Sequence, residues 1–148
     1  MLLGEYHLSL DDKGRLSIPA ALRQALHELY APDDQPFVVT KYHEHCLAIY
    51  PKAEWMSIQE QLLQLRNEPG TRAVLRQLCA SANTCPLDRQ GRILIPQKLR
   101  QYAGIDSEAV VLGMMRKLEV WSPTHWEVYD AQESGRFDTH ARLLDLRL

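Results

Sequence analysis

Twice in this chain of 148 residues an aspartate stands four residues ahead of an arginine, with a glycine in the turn between them: Asp11-Asp12-Lys13-Gly14-Arg15 and Asp88-Arg89-Gln90-Gly91-Arg92. Gly14 and Gly91 can take the positive φ that a tight turn needs, so Asp11 can reach Arg15 and Asp88 can reach Arg92 across it. Two chemistries fit this arrangement. The first is a turn-stabilising ion pair, which on a surface contributes only about 0–1 kcal/mol. The second is an oriented guanidinium, whose planar fork can bind guanine O6 and N7 bidentately or clamp a phosphate. Lys13 would add an outward charge at the tip of the first turn, where the second turn has the uncharged Gln90. The duplication favours recognition, because two related turns suit repeated sites on a duplex.

The turns belong to a longer repeat. LDDKGRLSIPAALR (10–23) and LDRQGRILIPQKLR (87–100) agree at eight of fourteen positions without a gap. These two stretches carry seven basic and three acidic residues, a local charge of +4. The remaining chain carries ten basic and sixteen acidic residues, or −6. The net charge of −2 conceals two basic elements on an acidic body, and local potential steers a polyanion better than net charge does.

The flanking pattern supplies the elements that must hold the turns. Residues 5–10 alternate as a half-buried strand, with Tyr6, Leu8 and Leu10 on one side, and the strand resumes from Arg15 to Ile18. Pro19 suits the first position of a helix carrying Leu22, Leu26 and Leu29, and Pro32 to Pro36 interrupts the pattern. FVVT (37–40) and CLAIY (46–50) read as strands around a polar turn. The second copy repeats the order: a strand with Asn83, Cys85 and Leu87 in its buried phase, a turn, RILI, a helix from Pro96 ended by Gly104, then AVVLGM (109–114) and KLEVW (117–121). Pro86 removes a backbone donor there, which suits an edge strand. Helices are expected after each copy: 52–66, with Trp55, Ile58, Leu62 and Leu65 on one face, a turn at 67–70, 71–80, and 123–134 with Ser122 as N-cap. The leucine-rich tail 137–148 reads equally as packed or disordered. The division is 5–52 for the first repeat, 53–81 for a helical connector, 82–124 for the second repeat and 125–148 for a C-terminal helix and tail. One copy is too small to bury a core alone, so the expectation is an α+β fold in which two copies close one barrel with pseudo-twofold symmetry.

Other constellations carry less. In Ile-Pro-x-x-Leu-Arg the arginines Arg23 and Arg100 are expected to tie the helix end to a nearby carboxylate. His43, His45 and Cys46 lie in a hairpin turn without a second ligand pair at zinc spacing, so no metal is expected. Arg66, Arg72 and Arg76 read as a solvated face. Cys46, Cys79 and Cys85 form an odd set without CxxC, consistent with free thiols in a reducing cytoplasm. The start MLLGEYHLSL is too short an apolar run for a signal peptide, and no run approaches a membrane span. There is no P-loop, dinucleotide fingerprint, HExxH or Gly-x-Ser-x-Gly, and no Gly-Ser dipeptide for a self-processing barrel decarboxylase. Neither an enzyme nor a cofactor is expected.

GEYHLSLDDKGRLSIPAALR, CLAIYPKAEW and LDRQGRILIPQKLRQYAGI together resemble the MraZ family of SpoVT/AbrB-like transcriptional regulators, over nearly the whole chain. The resemblance implies two swapped-hairpin AbrB-type halves per chain and assembly into a homo-oligomeric ring. It implies a cytoplasmic, nucleoid-associated protein that binds spaced direct repeats in double-stranded promoter DNA. The regulated promoter would be its own, ahead of a division and cell-wall gene cluster, and the effect generally repression. Carried onto this chain, Lys13, Arg15 and Arg92 become the DNA contacts, Asp11 and Asp88 their orienters, and Gly14 and Gly91 the turn formers. AbrB-type folds also serve as antitoxins, so the rival is a protein that binds a toxin partner through its tail as well as DNA.

Overall fold

The computed structural model describes residues 1–30 and 36–148, so the pattern break read at 32–36 lies outside the described residues except for Pro36. The first copy runs β1 (Leu2–Ser9), β2 (Arg15–Ser17), α1 (Ala20–Leu29), β3 (Phe37–Lys41) and β4 (Leu47–Tyr50), followed by α2 (Lys52–Leu63) and α3 (Pro69–Ser81). The second runs β5 (Asn83–Cys85), β6 (Arg92–Leu94), α4 (Gln97–Ala103), β7 (Glu108–Met115) and β8 (Leu118–Trp121), followed by α5 (Pro123–Glu133) and α6 (Phe137–Leu143).

The elements form where local chemistry favours them. Pro19 and Pro96 both sit at φ −55 and ψ near 142–143 immediately before α1 and α4. They are N-caps rather than first helical residues, and their fixed φ leads the chain into each helix. Leu22 and Leu26 are buried one turn apart on α1, while Leu29 stays outside the core. Gly104 closes α4 in the left-handed conformation at φ 67, where a Cβ would be penalised. Ser122 Oγ accepts the His125 N–H at 3.0 Å and caps α5. The turn expected at 67–70 is shorter than that, because Pro69 and Gly70 already belong to α3 with the proline in its first turn. Asn83 is exposed, so only Cys85 and Leu87 of the expected buried phase turn inward.

The sheet order carries the symmetry. Six antiparallel strands run β1-β7-β8-β4-β3-β5, and β2 pairs with β6 in a separate two-stranded ribbon. Exchanging each strand for its counterpart in the other copy turns this order into its own reverse. Each copy's first strand hydrogen-bonds to the other copy's third, β1 to β7 and β5 to β3. The centre is β4 against β8, and the ribbon pairs Leu16 with Ile93 on the pseudo-axis.

The strand pairings of the described residues do not close a barrel. β1 and β5 are edges of an open sheet, and the ribbon meets them only through the isolated bridges Leu10–Leu16 and Leu87–Ile93. Three-residue strands leave too few backbone groups to extend a ladder to both the partner strand and the sheet. The core lies between ribbon and sheet, built from Leu16, Ile18, Leu22, Ile93, Ile95 and Leu99 against Val39, Ile49, Val111 and Val120. Alpha-helices α2 and α5 bury no residue fully. Trp55, Ile58 and Leu62 of α2 are half-buried, and Leu65 lies beyond its end, exposed. The tail is helical from Phe137 to Leu143 and largely exposed.

Candidate nucleic-acid interface

Both Asp-x-x-x-Arg turns adopt the same geometry. Asp11 Oδ1 accepts the backbone N–H of Lys13 at 3.0 Å and of Arg15 at 2.9 Å, while Oδ2 takes the Arg15 Nε–H. Asp88 repeats this with the N–H groups of Gln90 and Arg92, both at 2.9 Å, and with Arg92 Nε at 2.8 Å. The backbone closes each turn again, from the Gly14 N–H to the Asp11 carbonyl and from the Gly91 N–H to the Asp88 carbonyl, both 3.0 Å. One carboxylate therefore fixes the turn with one oxygen and the guanidinium's inner nitrogen with the other. Each guanidinium is thus held through Nε, with the Arg15 side chain 30% and the Arg92 side chain 25% exposed.

The ribbon sets the two turns side by side. Ile18 donates to the Gly91 carbonyl at 2.9 Å and Ile95 to the Gly14 carbonyl at 3.0 Å, so each turn is stapled to the opposite copy. Arg92 Nη1 lies 3.7 Å from Asp11 Oδ2, which links the two ion pairs. Alternation buries Leu16 and Ile93 and turns Arg15, Ser17, Arg92 and Leu94 to the other face, with Arg15 opposite Leu94 and Ser17 opposite Arg92. Lys13, Arg89 and Gln90 are exposed at the tips. All seven residues read from the sequence, Asp11, Lys13, Gly14, Arg15, Asp88, Gly91 and Arg92, meet in one composite surface. A two-stranded β-ribbon of this kind is narrow enough to enter a DNA major groove.

Among the described residues Arg23 and Arg100 are not tied to carboxylates, contrary to the sequence expectation. Each crosses the pseudo-axis and packs against the other copy's turn. A Cβ built on Gly14 would lie 2.6 Å from the Arg100 Cζ, and one on Gly91 would lie 2.7 Å from Arg23 Nη1. Arg100 Nε also donates to the Ile95 carbonyl at 3.0 Å. Asp11 and Asp88, the carboxylates of the two turns, are already engaged by Arg15 and Arg92. No sequence signal pairs Arg100 with Gly14, since they come from different copies. The equal offset of arginine from glycine in both repeats was the one available hint.

Gly14 sits at φ +83 and Gly91 at +76. Alanine at Gly14 is expected to cost about 1–2 kcal/mol from the left-handed backbone alone, and to displace Arg100 as well. In a thermal melt, adding Arg100→Ala to Gly14→Ala should remove the steric part and leave the backbone part.

The backbone N–H of Arg15 is the largest influence holding the Asp11 carboxyl below the usual carboxylate range, helped by the Arg15 and Lys13 bonds. The Arg92 N–H does the same for Asp88. Groups with a lowered folded pKa stabilise fully above their unfolded value and lose that contribution as pH falls through the folded one. The turn amides of Arg15 and Arg92 should hold their NMR shifts until the pH is below the ordinary aspartate range. Asp11→Asn should abolish the acid transition in the first turn only.

The model for the MraZ protein family, described as antitoxin-like, matches this chain twice, over residues 1–77 and 78–147. The chain is 41% identical over 142 residues to a transcriptional regulator MraZ of Moorella thermoacetica, covering 95% of this chain and 94% of that protein. It is 38% identical over 148 residues to that of Desulforamulus reducens, with 99% of each covered. With the protein of the same name from Pediococcus pentosaceus it shares 40% over 150 residues, the full length of both.

Proposed function

The chain belongs to the MraZ family, and on that premise we propose that it is a sequence-specific DNA-binding transcriptional regulator acting through the ribbon. The relatives are named as transcriptional regulators and not as enzymes. No described helix is long and apolar enough to cross a membrane. The observation that carries the reading is the convergence of two carboxylate-held guanidinium groups on one ribbon face, linked where Arg92 Nη1 comes within 3.7 Å of Asp11 Oδ2. Arg15, Lys13 and Arg92 contact the DNA, Asp11 and Asp88 orient the forks, and Gly14 and Gly91 shape the turns. Arg15 with Lys13 is the stronger half, because Gln90 supplies no charge at the matching tip.

The biological setting is that of a nucleoid-associated repressor of its own promoter and of a division and cell-wall gene cluster. Repeat units 5–52 and 82–124, joined by the helices of 53–81, form one reading head per chain. Several chains in a ring engage spaced direct repeats, which offsets the small basic patch of a single subunit through effective concentration. Binding to the DNA upstream of the protein's own gene should then rise steeply with repeat number and fall with salt. Footprinting and titration on fragments with one, two and three repeats test this at fixed ionic strength. Equal affinity for one repeat and three would overturn the multivalent part, and protection without any repeat would overturn the specificity. A copurifying toxin would instead favour the antitoxin reading, for which the exposed apolar tail residues Phe137, Leu143, Leu144 and Leu148 provide a surface.

A further inference from the structure

Alternation along β7 and β8 sends Val111, Leu118 and Val120 into the main core and Val110, Leu112, Glu119 and Trp121 to the opposite sheet face. Helix α5 covers that face with Trp126 and Tyr129. Ring centroids lie 5.3 Å apart for Trp121–Trp126, 5.1 Å for Trp121–Tyr129 and 6.0 Å for Trp126–Tyr129. Between them and Tyr42 is a cavity of about 370 Å³, lined also by Glu44 and Glu119.

Two groups in this wall lack adequate partners. Glu119 is only 7% exposed, and its one hydrogen bond among the described residues is from the weakly donating Cys46 thiol at 3.8 Å. The indole Nε1 of Trp121 is buried without an acceptor. A buried carboxylate without a cation or strong donor is among the costlier arrangements in a protein interior. Lys117 does not neutralise it: its Nζ sits 3.4 Å from the Tyr42 ring centroid and makes no ion pair with Glu119 among the described residues. That contact shows an aromatic face of this region already holding an ammonium. The Tyr129 phenol is pushed up first by burial and then by the carboxylates of Glu44, Glu133 and Glu119, which places these acidic groups around its ring.

We propose that this cavity is a receptor for an organic cation, a guanidinium or alkylammonium group held against Trp121, Trp126 and Tyr129 with Glu119 as its counter-charge. Arginine amide carries such a cation without a carboxylate of its own and serves as the probe. The same chemistry can come from a free solute or from a basic side chain of a second copy of this chain.

The test uses the full chain and does not involve DNA. Tryptophan emission is followed during titration with arginine amide, and with citrulline amide as a neutral analogue of similar shape, at constant ionic strength. A saturable change with arginine amide is expected. It should be about tenfold weaker with citrulline amide and in Glu119→Gln. Tyr129→Ala, at the half-buried edge, makes the same test if Glu119→Gln fails to fold. Sedimentation velocity separates the sources. If a second copy supplies the group, arginine amide dissociates the wild-type oligomer and Glu119→Gln assembles less. If a free solute supplies it, assembly is unchanged while binding persists. Equal responses to the two amides would overturn the proposal. So would no saturation up to about 10 mM together with normal assembly of Glu119→Gln.

Discussion

Arg15→Ala is expected to weaken binding to the upstream DNA about 10- to 100-fold, while leaving the melting temperature near that of the wild type. The affinity should fall because the fork that Asp11 holds by Nε is the group proposed to pair with a base or phosphate. Stability is little changed because the turn survives on bonds that do not use the side chain. Asp11 Oδ1 still caps the N–H groups of residues 13 and 15, and the Gly14 N–H still reaches the Asp11 carbonyl. Arg15→Lys separates charge from geometry: if the fork matters, lysine restores the salt dependence but not the affinity. Arg92→Ala should do less than Arg15→Ala, since its turn has Gln90 where the first has Lys13. Undiminished binding by Arg15→Ala, in an anisotropy titration at fixed salt, would remove the turn from the interface.

The largest effect on stability is expected at Leu16. It is fully buried, faces the equally buried Ile93 across the ribbon, and carries the bridge to Leu10 that ties the ribbon to the sheet. Leu16→Ala removes apolar contacts and leaves a cavity at a point held from every side. The loss should be about 2–5 kcal/mol, or about 5–20 °C in melting temperature for a chain of this size. Ile93→Ala should cost a similar amount, as the pseudo-symmetric counterpart. Leu94→Ala, one residue along and 51% exposed, should change stability by no more than about 0.5 kcal/mol. Calorimetry on the three variants makes the comparison, and a Leu16→Ala melt as stable as Leu94→Ala would contradict the placement of the core.

What could be read in advance follows the range of the forces involved. The strands β3, β4, β7 and β8 and the starts of α1, α4 and α5 rest on short apolar runs, proline and capping chemistry, which act within a few residues. The turns were legible for the same reason, since Asp11 and Arg15 satisfy each other locally. The pairing of β1 with β7 was not legible, because nothing in residues 2–9 specifies a partner beyond a half-buried period of two. Nor was the ribbon: RLS and RIL are too short to suggest pairing across copies rather than within them. The tasks of Arg23 and Arg100 failed for the same reason. A carboxylate is the usual partner for arginine, and only the crossed arrangement brings them under Gly91 and Gly14. The expectation that two copies share one core holds, while among the described residues the strand pairings leave the sheet open and single bridges join the ribbon to it.

The exchange of first strands between the copies also sets a timetable. Leu2 pairs with Met115, so β1 leaves the ribosome well before its partner β7, which follows over a hundred residues later. At ordinary rates of synthesis that delay is on the order of ten seconds. Until β7 and β8 are made, the nascent chain carries unsatisfied strand edges at β1 and at the side of β4 reserved for β8. Long-range pairing of this kind is slow, because chain closure precedes any compensating contact. The interval in which a newborn chain could pair with a neighbouring newborn chain is therefore written into the strand order itself.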